Sequence, residues 1–314
     1  FILIFLFSLI FLSIFIFFFF HKTENKDSSS LFWLSKETSI ILNNWFMMYF
    51  LSVVLIGTIY PIFLDVLSSQ KISVGPPFYH KLIIPFFIPF LLIMAIGPKL
   101  RWIKSNLEEK NHLILFLIIS ILISVIIVIN FNSNILLNTI LVSSALYLFF
   151  VTLRDSLNKK YKNISQNISH IGFSLLILSI LLNNLSSSEM IANLKVGETF
   201  EANKTKIIFK SINQKEEKNY KSIKGTFVIQ NINGIKNKMY PELRIYNQPN
   251  IVTSEADIKT TLMSDKFIVI NLVKNQEYFN VRYQVKPFML WIWLSVLMIC
   301  FGGSMSFVKK KYEK

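Results

Sequence analysis

Cysteine is almost missing from this sequence. The single thiol, Cys300, sits in an apolar run, so the chain can form no internal disulfide, CxxC redox pair or Cys/His zinc pattern. Acidic residues are scarce as well: 18 Asp and Glu stand against 33 Lys and Arg, and Leu113 to Leu153 contains no charged residue of either sign. A stretch that long without charge cannot be the solvated face of a globular protein. What fills the space is apolar. With 53% hydrophobic residues, 30 Phe in 314 positions and a mean hydropathy of +0.49, the chain exceeds what one water-soluble core can bury, and a bilayer is the implied solvent. The Phe, Ile, Leu, Asn and Lys excess extends into the loops, which points to a base-composition bias, so single Phe residues carry no functional weight. The net charge of +15 does not indicate nucleic acid, because the basic residues are scattered and no stacked aromatic platform lies among them. Counter-charge to anionic lipid is the better reading. The sequence opens at Phe1 inside a hydrophobic stretch, with no initiating Met and no basic n-region, and so reads as a fragment and not as a signal peptide.

An apolar run needs about 20 residues to cross the hydrocarbon. Spans are expected near 1–20, 38–64, 82–98, 113–130, 135–152, 168–185 and 287–308, about seven helices in all. The third carries Pro85, Pro89 and Pro98 and is expected to be short and kinked, since each interior proline removes a backbone bond. Asn130, Asn132, Ser133 and Asn134 break the charge-free stretch into a helical hairpin. Fifteen Lys and Arg fall in the loops 21–37, 99–112, 153–167 and 309–314, against two in 65–81 and none in 131–134. Positive charge is retained on the cytoplasmic face, so the basic loops are expected inside and residues 186–286 outside.

The exported segment changes period. Thr205–Lys210, Gly225–Gln230 and Asp265–Val273 are short runs rich in β-branched and aromatic residues, and Asn233–Gly234 is a hairpin signal. The fold class is therefore a membrane all-α protein with a small exported antiparallel β domain, sandwich or barrel. Its expected organisation is a transmembrane domain over 1–185 (about six spans), a β domain over 186–286, and a final helix with a basic tail over 287–314.

Several motifs carry a family resemblance. Ser35–Lys–Glu–Thr–Ser–Ile–Ile–Leu–Asn–Asn leads into a helix that continues to Gly57–Thr–Ile–Tyr–Pro, and Lys71–Ile–Ser–Val–Gly–Pro–Pro–Phe–Tyr follows. Further on come Ser169–His–Ile–Gly–Phe–Ser, Val196–Gly–Glu–Thr–Phe, and Tyr240–Pro–Glu–Leu–Arg, the last two read as opening and closing the exported β unit. Val281–Arg–Tyr–Gln–Val–Lys–Pro–Phe, Ile292–Trp and Gly302–Gly–Ser–Met–Ser are read as the final helix. In this order, from about Ser35 to the C-terminus, the motifs resemble the C-terminal half of CcmF/NrfE-type cytochrome c haem lyases. The resemblance implies a subunit of a cytochrome c maturation machine that joins haem to the CxxCH thiols of apocytochrome c on the outer face of the membrane. It implies a bound b-type haem as redox cofactor, held between two intramembrane histidines. The implied partners are a haem chaperone, apocytochrome c, other maturation subunits of the membrane and the lipid bilayer. The implied location is the cytoplasmic (inner) membrane with a periplasmic β domain, the mitochondrial inner membrane being the alternative. The Trp-rich haem-cradling segment, its two outer-face histidines and the first intramembrane histidine belong to the family's N-terminal half. Catalytic residues are expected there, and this chain alone is not expected to catalyse.

His170 is the candidate cofactor residue. It lies near the start of an otherwise charge-free apolar helix, where an ionisable group is costly and marks a functional site by default. Read from the residues alone, it is either a haem ligand or a histidine bonded to Ser169, Ser174 or a neighbouring helix; the family motif makes it the axial ligand of the b-type haem iron. His80 follows the Gly-Pro-Pro turn, but the matching family position is commonly Asn. His21 and His112 fall in inner loops and read as solvated. The Lys71–Pro77 segment reads as a rigid turn shaping an outer vestibule. Trp291 and Trp293 read as interfacial anchors, and Arg244 and Arg282 as surface ion pairs in preference to propionate ligands. Two other classes compete with a haem lyase: a secondary transporter, which would need repeated halves and intramembrane charges, and a structural subunit of a membrane complex.

Overall fold

The computed structural model describes residues 12, 35–68, 72–102, 110–131, 134–158, 164–202, 205–231, 234, 236–273 and 278–312. Six helices in it are long and apolar enough to cross a membrane: α1 (Lys36–Ser68), α2 (Pro76–Ile96), α3 (Lys110–Ile129), α4 (Ile135–Leu157), α5 (Ile164–Ser186) and α6 (Met289–Tyr312). The expected span at 1–20 lies outside the described residues apart from residue 12, as do His21, Lys71, Asn132, Ser133 and Asn233. The described count is thus six, against about seven read from the sequence. The residues fall into two compact units, Phe1–Val74 with Ile96–Glu108, and Gly75–Ala95 with Glu109–Lys314.

In the first unit, Ser35 caps α1. The Thr38 amide donates to Ser35 Oγ at 3.2 Å, which satisfies one of the first-turn donors. The Lys36 amide bonds Arg101 O at 3.1 Å, and the Lys36 ammonium sits 5.2 Å from the centre of the Trp102 ring. At about 1.5 Å per residue, 33 residues make α1 longer than the hydrocarbon is thick, so its ends project beyond it.

In the second unit, Pro76 and Pro77 open α2. Their missing amides fall where a helix leaves its amides unbonded anyway, so the Gly-Pro-Pro string is a helix start as well as a turn. The helix then runs unbroken through Pro85 and Pro89 for 21 residues and is not short as expected; Pro98 falls in a following 3-10 turn, Gly97–Lys99. α3 ends at Ile129 and α4 begins at Ile135, on either side of the asparagines, and the Asn130 side-chain Nδ2 donates to Ile126 O at 2.9 Å.

Between α5 and α6 the chain folds into a two-sheet antiparallel sandwich. One sheet has the order β1 (Ser188–Leu194), β10 (Phe279–Pro287), β9 (Ser264–Leu272), β8 (Asp257–Thr260). The other runs β2 (Thr199–Ala202), β3 (Thr205–Glu216), β4 (Tyr220–Asn231), β6 (Glu242–Tyr246), β7 (Val252–Glu255), with β5 (Lys236–Met239) also on β4. Two readings are corrected here. The Val281–Pro287 string, grouped by motif with the final helix, belongs to the last strand, as the expected 186–286 bounds of the β domain had it, because Val281 and Tyr283 alternate inward with the period of a strand. Tyr240–Arg244 leads into and forms part of an interior strand, β6, and does not close the unit. The core stacks Phe209 on Phe227 with centroids 4.3 Å apart, Phe279 meets Phe209 edge-on at 5.7 Å, and Ile207, Ile229, Met239, Ile268, Ile270 and Tyr283 complete it. First and last strands pair from Ser188↔Val285 to Leu194↔Phe279, which brings the ends of the sandwich together and sets α5 beside α6.

Candidate functional site

The rotation of α5 about its axis decides where His170 faces, and small residues fix that rotation. Ser165, Ser169 and Gly172 recur at i, i+4 and i+7 and form one stripe. Against this stripe α6 approaches to backbone contact. Ser165 Oγ donates to Gly302 O at 2.6 Å, and a Cβ added at Gly302 would collide with Ser169 Oγ. A Cβ added at Gly172 would meet Ile299 and Met298 at 3.0 Å. Such contacts suit helices packed in lipid, where close backbone approach replaces the hydrophobic drive.

With that stripe against α6, Ser174 on the far side shares a hydrogen bond with Thr152 of α4 at 3.0 Å, both hydroxyls being buried. Phe173 turns to α2 and meets Phe90 edge-on at 6.4 Å, with Phe87 5.9 Å further along. His170 is one turn before Ser174, about 40° round the helix from it and about 60° from Phe173 at 100° per residue. It is half-buried between the faces that α5 turns to α4 and α2. On α4, Asp155 follows Thr152 by three residues, so the antiparallel pair repeats the Thr152–Ser174 rung one turn down as Asp155 and His170. Asp155 is 9% exposed, and its carboxylate acts electrostatically on the imidazole. Sequence reasoning missed Asp155. It was assigned to the loop 153–167, whereas α4 continues to Leu157. The available signal was its i+3 spacing from Thr152 on a helix whose apolar pattern does not end at Leu153.

Of the hydroxyls offered as alternative partners of His170, Ser174 is engaged with Thr152 and with Ile171 O at 3.0 Å, while Ser169 lies on the face packed against Gly302. Among the described residues no cluster of three His, Cys, Asp or Glu could hold a bare metal ion. A half-buried imidazole with a buried carboxylate one turn along the neighbouring helix is a donor set that would suit haem iron, where the second ring nitrogen usually finds a carboxylate or carbonyl.

The other sequence candidates fall away from this place. His80 is exposed one turn into α2 and His112 is exposed in the first turn of α3. Arg244 makes a two-pronged contact with Glu242 at 3.2 and 3.3 Å and lies 5.1 Å from the centre of the Tyr220 ring. The hydrogen bond from Arg244 holds the Glu242 carboxyl below its ordinary range and raises the guanidinium above its own. Arg282 bonds Glu189 across the β1–β10 edge, which likewise lowers Glu189. Both arginines are thus in surface ion pairs. Trp291 is more than an interfacial anchor, for its Nε1–H donates to Leu262 O of the sandwich at 3.0 Å.

Fold and site define a multi-pass membrane protein with a β-sandwich inserted before its last helix and one histidine–acid pair set between helices. Residues 185–287 match the model of the CcmF C-terminal β-sandwich. Along most of its length the chain is similar to the cytochrome c-type biogenesis protein CcmF of Pseudomonas fluorescens, 29% identical over 297 residues that cover 89% of this chain and 44% of the relative. Escherichia coli CcmF is 24% identical, over 94% of this chain and 46% of its own. The cytochrome c-type biogenesis protein NrfE of Haemophilus influenzae is 20% identical, over 90% and 46%. In fold it matches the solved structure of the cytochrome c haem lyase CcmF with a TM-score of 0.68 at 18% identity, over 87% of this chain and 46% of that one. The chain is therefore CcmF-like, as its motifs indicated, and spans somewhat under half the length of these relatives.

Proposed function

We propose that this chain is the C-terminal portion of a cytochrome c haem lyase, which joins haem to the CxxCH thiols of apocytochrome c on the periplasmic face of the inner membrane, and that His170 is an axial ligand of a b-type haem. The carrying observation is the half-buried imidazole on α5, which feels the charge of the buried Asp155 on α4 and lies on the helix face between Ser174 and Phe173. When bound, the haem would supply a one-electron redox centre. One ring nitrogen of His170 would hold the iron, and Asp155 would fix the tautomer and orientation of the ring. The portion of the relatives that this chain does not span would supply the second ligand and the surface for apocytochrome c. A haem chaperone and the other membrane subunits of cytochrome c maturation are the proposed partners, and the sandwich is proposed to stand on the outer face.

The test is His170→Ala in the full-length protein. Low-spin haem absorbance and cytochrome c maturation should both be lost while the protein stays in the membrane, with partial rescue by added imidazole. Asp155→Asn should keep the haem but shift its reduction potential. His112→Ala should change neither. A full low-spin spectrum with normal maturation in His170→Ala would return His170 to a packing role.

A further inference from the structure

The β8–β9 hairpin ends in a two-residue tip, Leu262–Met263, closed by mutual bonds between Thr261 and Ser264: Thr261 N to Ser264 O at 3.0 Å and Ser264 N to Thr261 Oγ1 at 3.1 Å. Leu262 is 68% and Met263 62% exposed, unusual for two adjacent large apolar side chains at the end of a rigid turn. The tip is also held at a defined height. Trp291 donates to Leu262 O, and the Phe288 amide to Met263 O at 2.9 Å; Phe288 itself takes a positive φ of 61° to turn the chain from β10 into α6. The ties come from Phe288, just before α6, and from Trp291 in its first turn, so the tip sits beside the start of a helix long and apolar enough to span the bilayer. On the other side of α6 Trp293, Leu297 and Phe301, spaced i, i+4, i+8, are each more than 60% exposed, an apolar row suited to lipid. Above the tip, Lys259 and Lys266 face each other across β8 and β9, one rung back from the Thr260↔Asp265 pair that flanks the turn.

We propose that Leu262 and Met263 insert into the lipid interface as an anchor, with Lys259 and Lys266 reaching the headgroup phosphates, so that the sandwich is held to the bilayer by its hairpin tip as well as by its two helices. An apolar tip beneath a pair of lysines matches the layering of an interface, acyl chains below and anionic headgroups above. The ties to the start of α6 favour lipid over a protein partner, because a helix long and apolar enough to span places the bilayer interface near its first turn, beside the tip.

The experiment uses the full chain with Cys300→Ala, labelled with an environment-sensitive nitrobenzoxadiazole at Met263→Cys, at Leu262→Cys in a second variant, and at Lys218→Cys in the far β3–β4 turn as reference. The labelled proteins are reconstituted in phosphatidylcholine/phosphatidylglycerol vesicles. Both tip labels should emit to the blue of the reference, be quenched several-fold more by a nitroxide carried on shallow acyl positions, and be protected from aqueous iodide. Tip labels that emit and quench like the reference would overturn the proposal. So would a blue shift without quenching by the lipid nitroxide, which would place a protein surface there instead.

Discussion

Adding one methyl group at Gly302 tests the packing that aims His170. The new Cβ would stand 2.8 Å from the Ser169 amide nitrogen and 2.9 Å from Ser165 O. These are backbone atoms of α5 and cannot swing aside as a side chain would. To restore the ordinary contact distance of 3.4 Å, the two helices must separate by about 0.6 Å, which also stretches the 2.6 Å bond from Ser165 Oγ to Gly302 O. Overpacking of this kind costs about 1–3 kcal/mol, and the backbone partners place it in the upper half of that range. Gly303 is the internal control, for among the described residues nothing lies within 4 Å of a Cβ added there. Both substitutions gain the same helix propensity, about 1 kcal/mol, so the difference between them isolates the clash. Denaturation in mixed detergent micelles should place Gly302→Ala below Gly303→Ala by about 2–3 kcal/mol. Equal stability of the two variants would refute the close α5–α6 contact and the orientation of His170 derived from it.

Orientation in the membrane is tested on a Cys300→Ala background, where an impermeant maleimide applied to intact cells should label Lys218→Cys on the sandwich and leave Lys110→Cys at the start of α3 unlabelled; the reverse pattern would sink the outward placement of the sandwich. Residues 185–287 expressed alone should be soluble and strand-rich by circular dichroism, and a need for detergent would count against an independent unit. Within that unit, burial of Tyr283 pushes its phenol from 10.0 up to about 12. The neutral form is favoured in the fold, so its contribution, about 3 kcal/mol for two units, is complete below pH 10 and lost as pH rises through 12. Urea unfolding at pH 8 and pH 11 should show a drop in stability that Tyr283→Phe diminishes, and an equal drop in both proteins would assign it to other groups.

The elements of this fold were legible because each announces itself in one dimension. An apolar run long enough to span, an asparagine-rich break at 130–134 and a change of period after Ser187 are read directly along the chain. The edges were misread where the local pattern and the tertiary partner disagree. Val281–Pro287 was grouped by motif with the final helix although β1 and β9 claim it from both sides, and α4 seemed to end at the first charged residue although Asp155 stays buried in the bundle. His170 could be named from its sequence setting, but its neighbours could not. In helices apolar all round, hydrophobic periodicity points to no face, because lipid and protein interior are equally oily. The orienting information lies in the small residues, where a neighbouring backbone can come close. Ser165, Ser169 and Gly172 set one face against Gly302, and once that face is fixed the helical repeat sends Ser174 to Thr152 and His170 towards Asp155. A spacing of four and then three among Ser and Gly therefore says more about where this histidine points than the many large apolar residues around it.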